Sequence, residues 1–309
     1  MYFVRVVAAI IGILVFGTVR WSYADPVIVA PVSIIVNIPS RTLEYYSGSD
    51  LVKVYPIAIG KPSTPTPLGQ FFIEEKEEDP CWYPPGTGKV VASGPYNPLG
   101  YRWMGFYCNY GIHGTNAPAS IGNMVSNGCI RMHEEDVEEL YPRVPYHTKV
   151  TVVYERIKVR LDSNNRVSLT VYPDVYDYHA LSLNEVRSIL DGYGVNGWIG
   201  EDELSRLINE EAGQPLVIAK TQTIKVDEKK LDAYAVVDDN KLYVPVWPVA
   251  VALGYDLNWN EKTKQVKVRS VTALGMVKGD RIYINANDIT KLFEVHTTWN
   301  QTENVLLIN

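Results

Sequence analysis

Positive charge, cysteine and phenylalanine are all scarce in this sequence. Lys and Arg number 29 against 35 Asp and Glu, for a net charge of −6. That deficit excludes a protein that grips nucleic acid through a broad basic field. The composition, 46% hydrophobic and 21% charged, excludes a disordered tail, a collagen and a polytopic membrane protein. Phe occurs 6 times against 21 Tyr. Aromatic bodies with polar tips suit a β-rich fold with wet, ligand-facing surfaces. With 309 residues the chain is long enough for about two domains.

One apolar run stands out. Val6–Val19 is almost unbroken, follows Arg5 and leads to Ser22-Tyr23-Ala24. This three-part pattern predicts a secretory signal over residues 1–24, cleaved after Ala24. The alternative is an uncleaved N-terminal membrane anchor. Either way the remainder is expected to work outside the cytoplasmic membrane, in the cell envelope, periplasm or medium. There the three cysteines, Cys81, Cys108 and Cys129, form an odd set, and one thiol must stay unpaired.

From Val32 the pattern is that of strands. Apolar and β-branched runs at 33–38, 41–46 and 51–59 are separated by Pro39-Ser40 and Ser47-Gly48-Ser49-Asp50. The proline-rich Lys61–Gly69 stretch predicts a stiff loop. Residues 74–88 read as a long surface excursion. Glu134–Tyr141 has helical spacing, and 149–154 closes a domain of residues 32–154. A hairpin over 157–172 and helices over 183–190 and 201–211 predict a small connector, residues 155–216. The last stretch, 217–309, is strand-rich and repeats itself: Tyr243 to Trp259 and Tyr283 to Trp299 have the same spacing. The fold class expected is mainly β: a β-sandwich-like first domain, the helical connector, and a C-terminal α+β module with an internal repeat.

Chemistry concentrates in Gly111-Ile112-His113-Gly114-Thr115 and Ser126-Asn127-Gly128-Cys129-Ile130-Arg131-Met132. A thiol nucleophile needs a base, oxyanion donors and exposure. Cys129 could be that nucleophile, His113 its base, and the N–H groups of Gly128 and Cys129 the oxyanion donors. Arg131 could hold an anionic substrate group, since guanidinium matches a carboxylate. The bland readings are a buried small hydrophobe for Cys129, a satisfied polar residue for His113 and a structural ion pair for Arg131. Zinc held by Cys129, His113, His133 and Cys108 would match no standard ligand spacing, so neither metal nor cofactor is expected.

These blocks carry a resemblance. With Thr64-Pro65-Thr66-Pro67-Leu68-Gly69 and Asn97-Pro98-Leu99-Gly100-Tyr101-Arg102-Trp103-Met104 they occur in the order found in the L,D-transpeptidase (YkuD) catalytic domain, which residues 32–154 resemble. The resemblance implies a cysteine acyltransferase acting on peptidoglycan stem peptides. Cys129 would take the acyl group of a tetrapeptide with release of D-Ala, and an amine acceptor would resolve the thioester into a 3→3 cross-link. Water as acceptor would give an L,D-carboxypeptidase instead, and a noncatalytic wall-binding protein is the reading from another class. By matching positions His113 is the base and Gly114 supplies the carbonyl that orients it. Ser126, Asn127, Gly128 and Arg131 line the substrate site. Many relatives carry His where Asn127 stands, so His113 would do the acid–base work alone. The resemblance also implies inactivation by carbapenem-type inhibitors. Sparing a nucleophilic Cys129 leaves Cys81–Cys108 as the disulfide to expect, or else two unpaired thiols.

Residues 217–309 resemble the copper amine oxidase N-terminal-like domain. With His296 and Met276 but no cluster of ligands, no copper is expected there. Tyr243, Trp247, Trp259, Tyr283 and Trp299 could stack on glycan or simply pack the core.

Overall fold

The computed structural model describes residues 30–309, so the expected signal over residues 1–24 lies outside the described residues. The first body comprises β1 (Val32–Asn37), β2 (Thr42–Ser47), β3 (Asp50–Gly60), β4 (Gly69–Phe72), β5 (Glu75–Glu78), β6 (Arg102–Tyr107), β7 (Tyr110–His113), β8 (Met124–Ser126), β9 (Ile130–Met132), helix α1 (Glu134–Leu140) and β10 (Lys149–Val153). The hydrogen-bonded order is β4-β10-β1-β2-β3-β9-β7-β6-β5, with β8 beside β3. The long β3 belongs to both halves of this path. It pairs with β2 along most of its length and with β9 and β8 at its C-terminal end. The halves share one core, in which Ile34, Val36, Leu43 and Val150 meet Met104, Phe106, Ile112 and Ile130. The domain is therefore mainly β and sandwich-like, as expected.

Helix α1 forms where Glu134, Glu135 and Asp136 face the positive end of the helix dipole and Val137 and Leu140 are buried. Strand β5 is a departure from the expected surface excursion. Its sequence is Glu-Lys-Glu-Glu, poor in strand formers, yet it pairs with β6 from Glu75↔Gly105 to Glu78↔Arg102. Ladder pairing overrides local propensity here.

The second body begins with the hairpin β11 (Ile157–Leu161) and β12 (Arg166–Val171). Helices α2 (Leu183–Gly192) and α3 (Glu201–Glu210) follow, then β13 (Leu216–Val226), β14 (Lys229–Asp238), β15 (Lys241–Pro245), α4 (Val246–Leu253), β16 (Asn258–Asn260), β17 (Gln265–Val268), β18 (Val271–Lys278), β19 (Arg281–Asn285), α5 (Ala286–Phe293), β20 (Thr297–Asn300) and β21 (Val305–Ile308). β12 pairs with β13, so the hairpin of the expected connector is continuous with the C-terminal sheet. Val186, Leu190 and Leu204 of α2 and α3 pack on Val167, Leu169 and Val171 of that same sheet. The internal repeat is present element by element: strand, helix, strand and strand recur at an offset of 40 residues, α4 against α5 and β17 against β21.

The two bodies meet through named contacts. Asn37 exchanges hydrogen bonds with the backbone of Glu155 at 3.0 and 2.9 Å, and the buried Glu44 carboxylate is bonded by Lys158. Tyr176, which follows β12, donates its hydroxyl to the Gly60 carbonyl at 2.7 Å and accepts from Thr66 N–H at 3.2 Å.

Candidate functional site

The site is built on the parallel pairing of β7 with β9, in which Ile112 faces Ile130 and His113 faces Arg131. Alternation does the rest. Met104, Ile112, Ile130 and Met132 point into the core and are fully buried. Trp103, His113 and Arg131 then project to the opposite face, with Cys129, one residue before Ile130, on their side of the ladder. Trp103 pairs with His113 across β6 and β7 and stacks on it, ring centroids 5.7 Å apart. Four of the residues singled out from sequence, His113, Gly114, Cys129 and Arg131, are thus brought to one end of one sheet.

His113 is 3% exposed, and its Nδ1 lies 2.7 Å from the Gly114 carbonyl oxygen. Burial, reinforced by the Arg131 charge, pulls its pKa down to about 4, against the carbonyls of Gly114 and Leu99, which favour the proton. The ring is therefore neutral at pH 7. A carbonyl can only accept, so Nδ1 carries the hydrogen and Nε2 the free lone pair.

Cys129 is half-buried, and burial pushes its thiol pKa up, against the Gly111 N–H and the Arg131 charge. Its Sγ–H donates to the Asn109 carbonyl at 3.6 Å, and no hydrogen bond joins it to the imidazole among the described residues. Thiol and imidazole are thus both neutral at pH 7. Arg131 is half-buried, and its Nε is a buried nitrogen without a partner among the described residues.

The turn before the thiol is held from inside. Ser126 is buried; its Oγ donates to the Cys129 carbonyl at 2.6 Å and accepts from Gly128 N–H at 3.0 Å. That bond corrects one expectation. The Gly128 N–H is committed within the turn and does not point toward a shared oxyanion space. Gly128 itself has φ +112°, and a Cβ there would collide with the Tyr110 ring. Asn127 is exposed at the tip of this turn.

The expected Cys81–Cys108 disulfide is also corrected, since all three cysteines are free. The β5–β6 register explains why. Cys108 lies just past the Tyr107 end of β6, while Cys81 follows β5 past the opposite, Arg102 end. A strand's length separates them, far beyond the roughly 7 Å Cα limit for a bridge.

Sequence reasoning missed one residue that shapes the site. The Glu134 carboxylate accepts from Tyr101 N–H at 2.8 Å and from Thr115 N–H at 3.2 Å, pinning the loop before β6 to the turn after His113. A Cβ at Gly100 or at Gly114 would collide with that carboxylate. Burial pushes the Glu134 pKa up, against these backbone donors. The only signal in sequence was an acidic residue at the first position of a helix, which a dipole argument already explained. Among the described residues, no group of three or more His, Cys, Asp or Glu could hold a metal ion.

Comparison with known proteins bears on this geometry. Residues 31–152 match the model of the L,D-transpeptidase catalytic domain, and residues 223–274 that of the copper amine oxidase N-terminal domain. The putative L,D-transpeptidase YqjB of Bacillus subtilis is 38% identical over 125 residues, covering 38% of this chain and 69% of the relative. The chain belongs to the L,D-transpeptidase family. The putative L,D-transpeptidase YkuD of Bacillus licheniformis is 44% identical over 123 residues, covering 40% of this chain and 66% of that protein. The chain thus spans just under two thirds of the length of that relative. A solved Enterococcus faecium L,D-transpeptidase is 27% identical over 40% of this chain and 50% of its own, with a TM-score of 0.35. The L,D-transpeptidase part thus coincides with the first body, and the second body carries the copper amine oxidase N-terminal match.

Proposed function

We propose that this protein is a peptidoglycan L,D-transpeptidase working outside the cytoplasmic membrane, with Cys129 as nucleophile and His113 as general base. The observation that carries the reading is the shared face of β7 and β9. It brings His113 and Arg131 opposite each other with Cys129 on the same side of the ladder, and the Arg131 Nε there is buried without a partner among the described residues, which supports the reading.

The chemistry follows from the protonation states. As Sγ attacks the carbonyl between the third residue of a stem tetrapeptide and its terminal D-Ala, the thiol proton passes to Nε2 of His113. The Gly114 carbonyl, bonded to Nδ1, supports the imidazolium while it exists. The oxyanion falls to the Cys129 N–H, since the Gly128 N–H is already used. The C–N bond then breaks, His113 returns its proton to the departing amine, and D-Ala leaves a thioester on Cys129. A side-chain amine of a second stem attacks that thioester, giving its proton to His113, which passes it to the leaving sulfur. A hydrogen bond missing at rest is compatible with this, because catalytic contacts tighten when substrate binds. Arg131 binds an anionic group of the substrate. Asn127 and the rest of the Ser126–Gly128 turn line the cleft. We further propose one division of the chain, after Tyr154, with 155–309 as a second unit.

The experiment is an intact-mass measurement of the purified protein after meropenem, whose β-lactam carbonyl is an acyl donor for the same thiol. An adduct on the wild type that is absent from Cys129→Ala is the expected result; a folded, reduced protein that stays unmodified overturns the nucleophile. Incubation with a tetrapeptide plus an amine acceptor then separates transfer, read as a dimeric muropeptide, from hydrolysis, read as D-Ala release alone.

A further inference from the structure

The peptide group that joins Gly114 to Thr115 is hydrogen-bonded on both sides. On one side its carbonyl oxygen lies 2.7 Å from His113 Nδ1. On the other its N–H donates to Glu134 Oε2 at 3.2 Å. In a trans peptide the C=O and N–H point in opposite directions, so one planar group lies between the carboxylate and the imidazole. The close approach requires glycine, since a Cβ at Gly114 would stand 2.2 Å from that same Oε2. The other oxygen, Oε1, accepts from Tyr101 N–H at 2.8 Å and fixes the carboxylate in place. Pinning two loops does not by itself call for a charge. Burial and the neighbouring Glu138 both disfavour the carboxylate, against the two backbone donors and Arg102. A charge kept at such a cost, one peptide group away from the base, points to a use in the chemistry.

We propose that Glu134 is a positioning residue for the base, acting on His113 through the Gly114–Thr115 peptide group. This rests on the reading of His113 as general base. A carboxylate that accepts from an amide N–H polarises the amide and leaves more negative charge on its oxygen, so the two bonds in series strengthen each other. The Gly114 oxygen, a neutral acceptor, thereby gains part of the character of an anionic one. At rest it keeps the hydrogen on Nδ1, which leaves Nε2 free for the thiol proton. When that proton arrives, the imidazolium faces an oxygen made more negative, in a site where burial and Arg131 oppose positive charge. No proton crosses the peptide group, and the hydrogen on Nδ1 stays there. The arrangement is a carboxylate–imidazole pair with one peptide unit between the partners.

The test uses the full chain with Glu134→Gln, which keeps an acceptor oxygen and removes the charge, and Glu134→Asp, which keeps the charge. The His113 Nδ1–H signal in ¹H–¹⁵N NMR spectra reads the bond to Gly114. It should move upfield in Glu134→Gln and return part of the way in Glu134→Asp. At saturating meropenem the acylation rate of Glu134→Gln should fall about tenfold, the difference between a charge-assisted and a neutral hydrogen bond, with the half-saturating concentration unchanged. A slower rate with the Nδ1–H signal unmoved would reduce Glu134 to a pin between loops and overturn the proposal, and so would wild-type values of both. If Glu134→Gln does not fold, the wild type decides. Glu134 titrates before His113, since burial raises the carboxyl pKa and lowers that of the ring to about 4. As its ¹³C carboxyl signal reports protonation, the Thr115 N–H and His113 Nδ1–H signals must move with the same midpoint; signals that ignore it overturn the proposal. The NMR readings need no reactive thiol, so a wild type that meropenem leaves unmodified counts against Cys129 and not against Glu134.

Discussion

Nδ1 of His113 stands 2.7 Å from the carbonyl oxygen of Gly114, the residue that follows it, in a pocket where the ring is 3% exposed. Burial makes the charged ring costly, and the pKa falls from 6.5 to about 4. The folded protein therefore resists protonation that the unfolded chain accepts. Stability from this group is fully present above pH 6.5 and is lost as pH falls toward 4, by about 3 kcal/mol over that window. Denaturant melts at pH 7 and pH 4 should show His113→Gln losing that much less than the wild type. An equal loss in both would contradict the assignment. The same shift sets the acid limb of the proposed reaction. Meropenem acylation should hold its rate down to about pH 5 and fall only near pH 4, rather than halving near 6.5.

Cys129 and the two other thiols should separate by reactivity. Cys81 and Cys108 are exposed, whereas Cys129 is half-buried with its thiolate disfavoured by burial. Reaction with iodoacetamide requires thiolate and access. At pH 7 two additions should appear first and the third more slowly, with peptide mapping placing the slow one at Cys129. Under denaturing, non-reducing conditions all three should be modified at once; a single addition would mean that a disulfide exists after all.

Gly128 is the position where backbone conformation and packing agree. Its φ of +112° suits glycine alone, and the Tyr110 ring occupies the space of any Cβ. Gly128→Ala should cost about 3 kcal/mol, combining backbone strain with overpacking. Adding Tyr110→Ala should return the packing part and leave the backbone part. Chemical denaturation of the four proteins of this cycle tests that split, and a fully additive result would refute the contact.

What could be read from sequence was whatever is local or has a period. Strands β1 to β3, helix α1 and the β11–β12 hairpin follow from alternation, apolar spacing and turn residues, and their bounds agree to within a few residues. His113 and Cys129 were legible because their flanking glycines and order along the chain are distinctive. Contacts between residues distant in sequence were not legible. Nothing local marks Glu134 as the acceptor for Tyr101 and Thr115, or Trp103 as the plate behind His113. The disulfide failed for the same reason, since pairing by elimination ignores the strand that separates Cys81 from Cys108. Strand β5 was missed because partners, not propensity, hold four charged residues in a ladder.

Tyr176 tests whether the second body takes part in shaping the site. It follows β12, yet its buried hydroxyl joins the Gly60 carbonyl, just before the proline-rich loop, to the Thr66 N–H within it. The Thr66 hydroxyl adds a bond from Gly60 N–H at 2.9 Å, so the loop is closed by three bonds, two of which depend on Tyr176. The Lys61 N–H in that loop bonds Ser126 O at 3.1 Å, which connects the clasp to the turn before Cys129. Tyr176→Phe keeps the ring and leaves one buried donor and one buried acceptor short of a partner, a cost of about 1–3 kcal/mol. If the clasp matters to the turn, amide hydrogen exchange should quicken in residues 61–68 and at Ser126, and acylation by meropenem should slow more than global stability alone explains. Exchange that quickens only around residue 176, with acylation unchanged, would show that the second body rests against the site without steadying it.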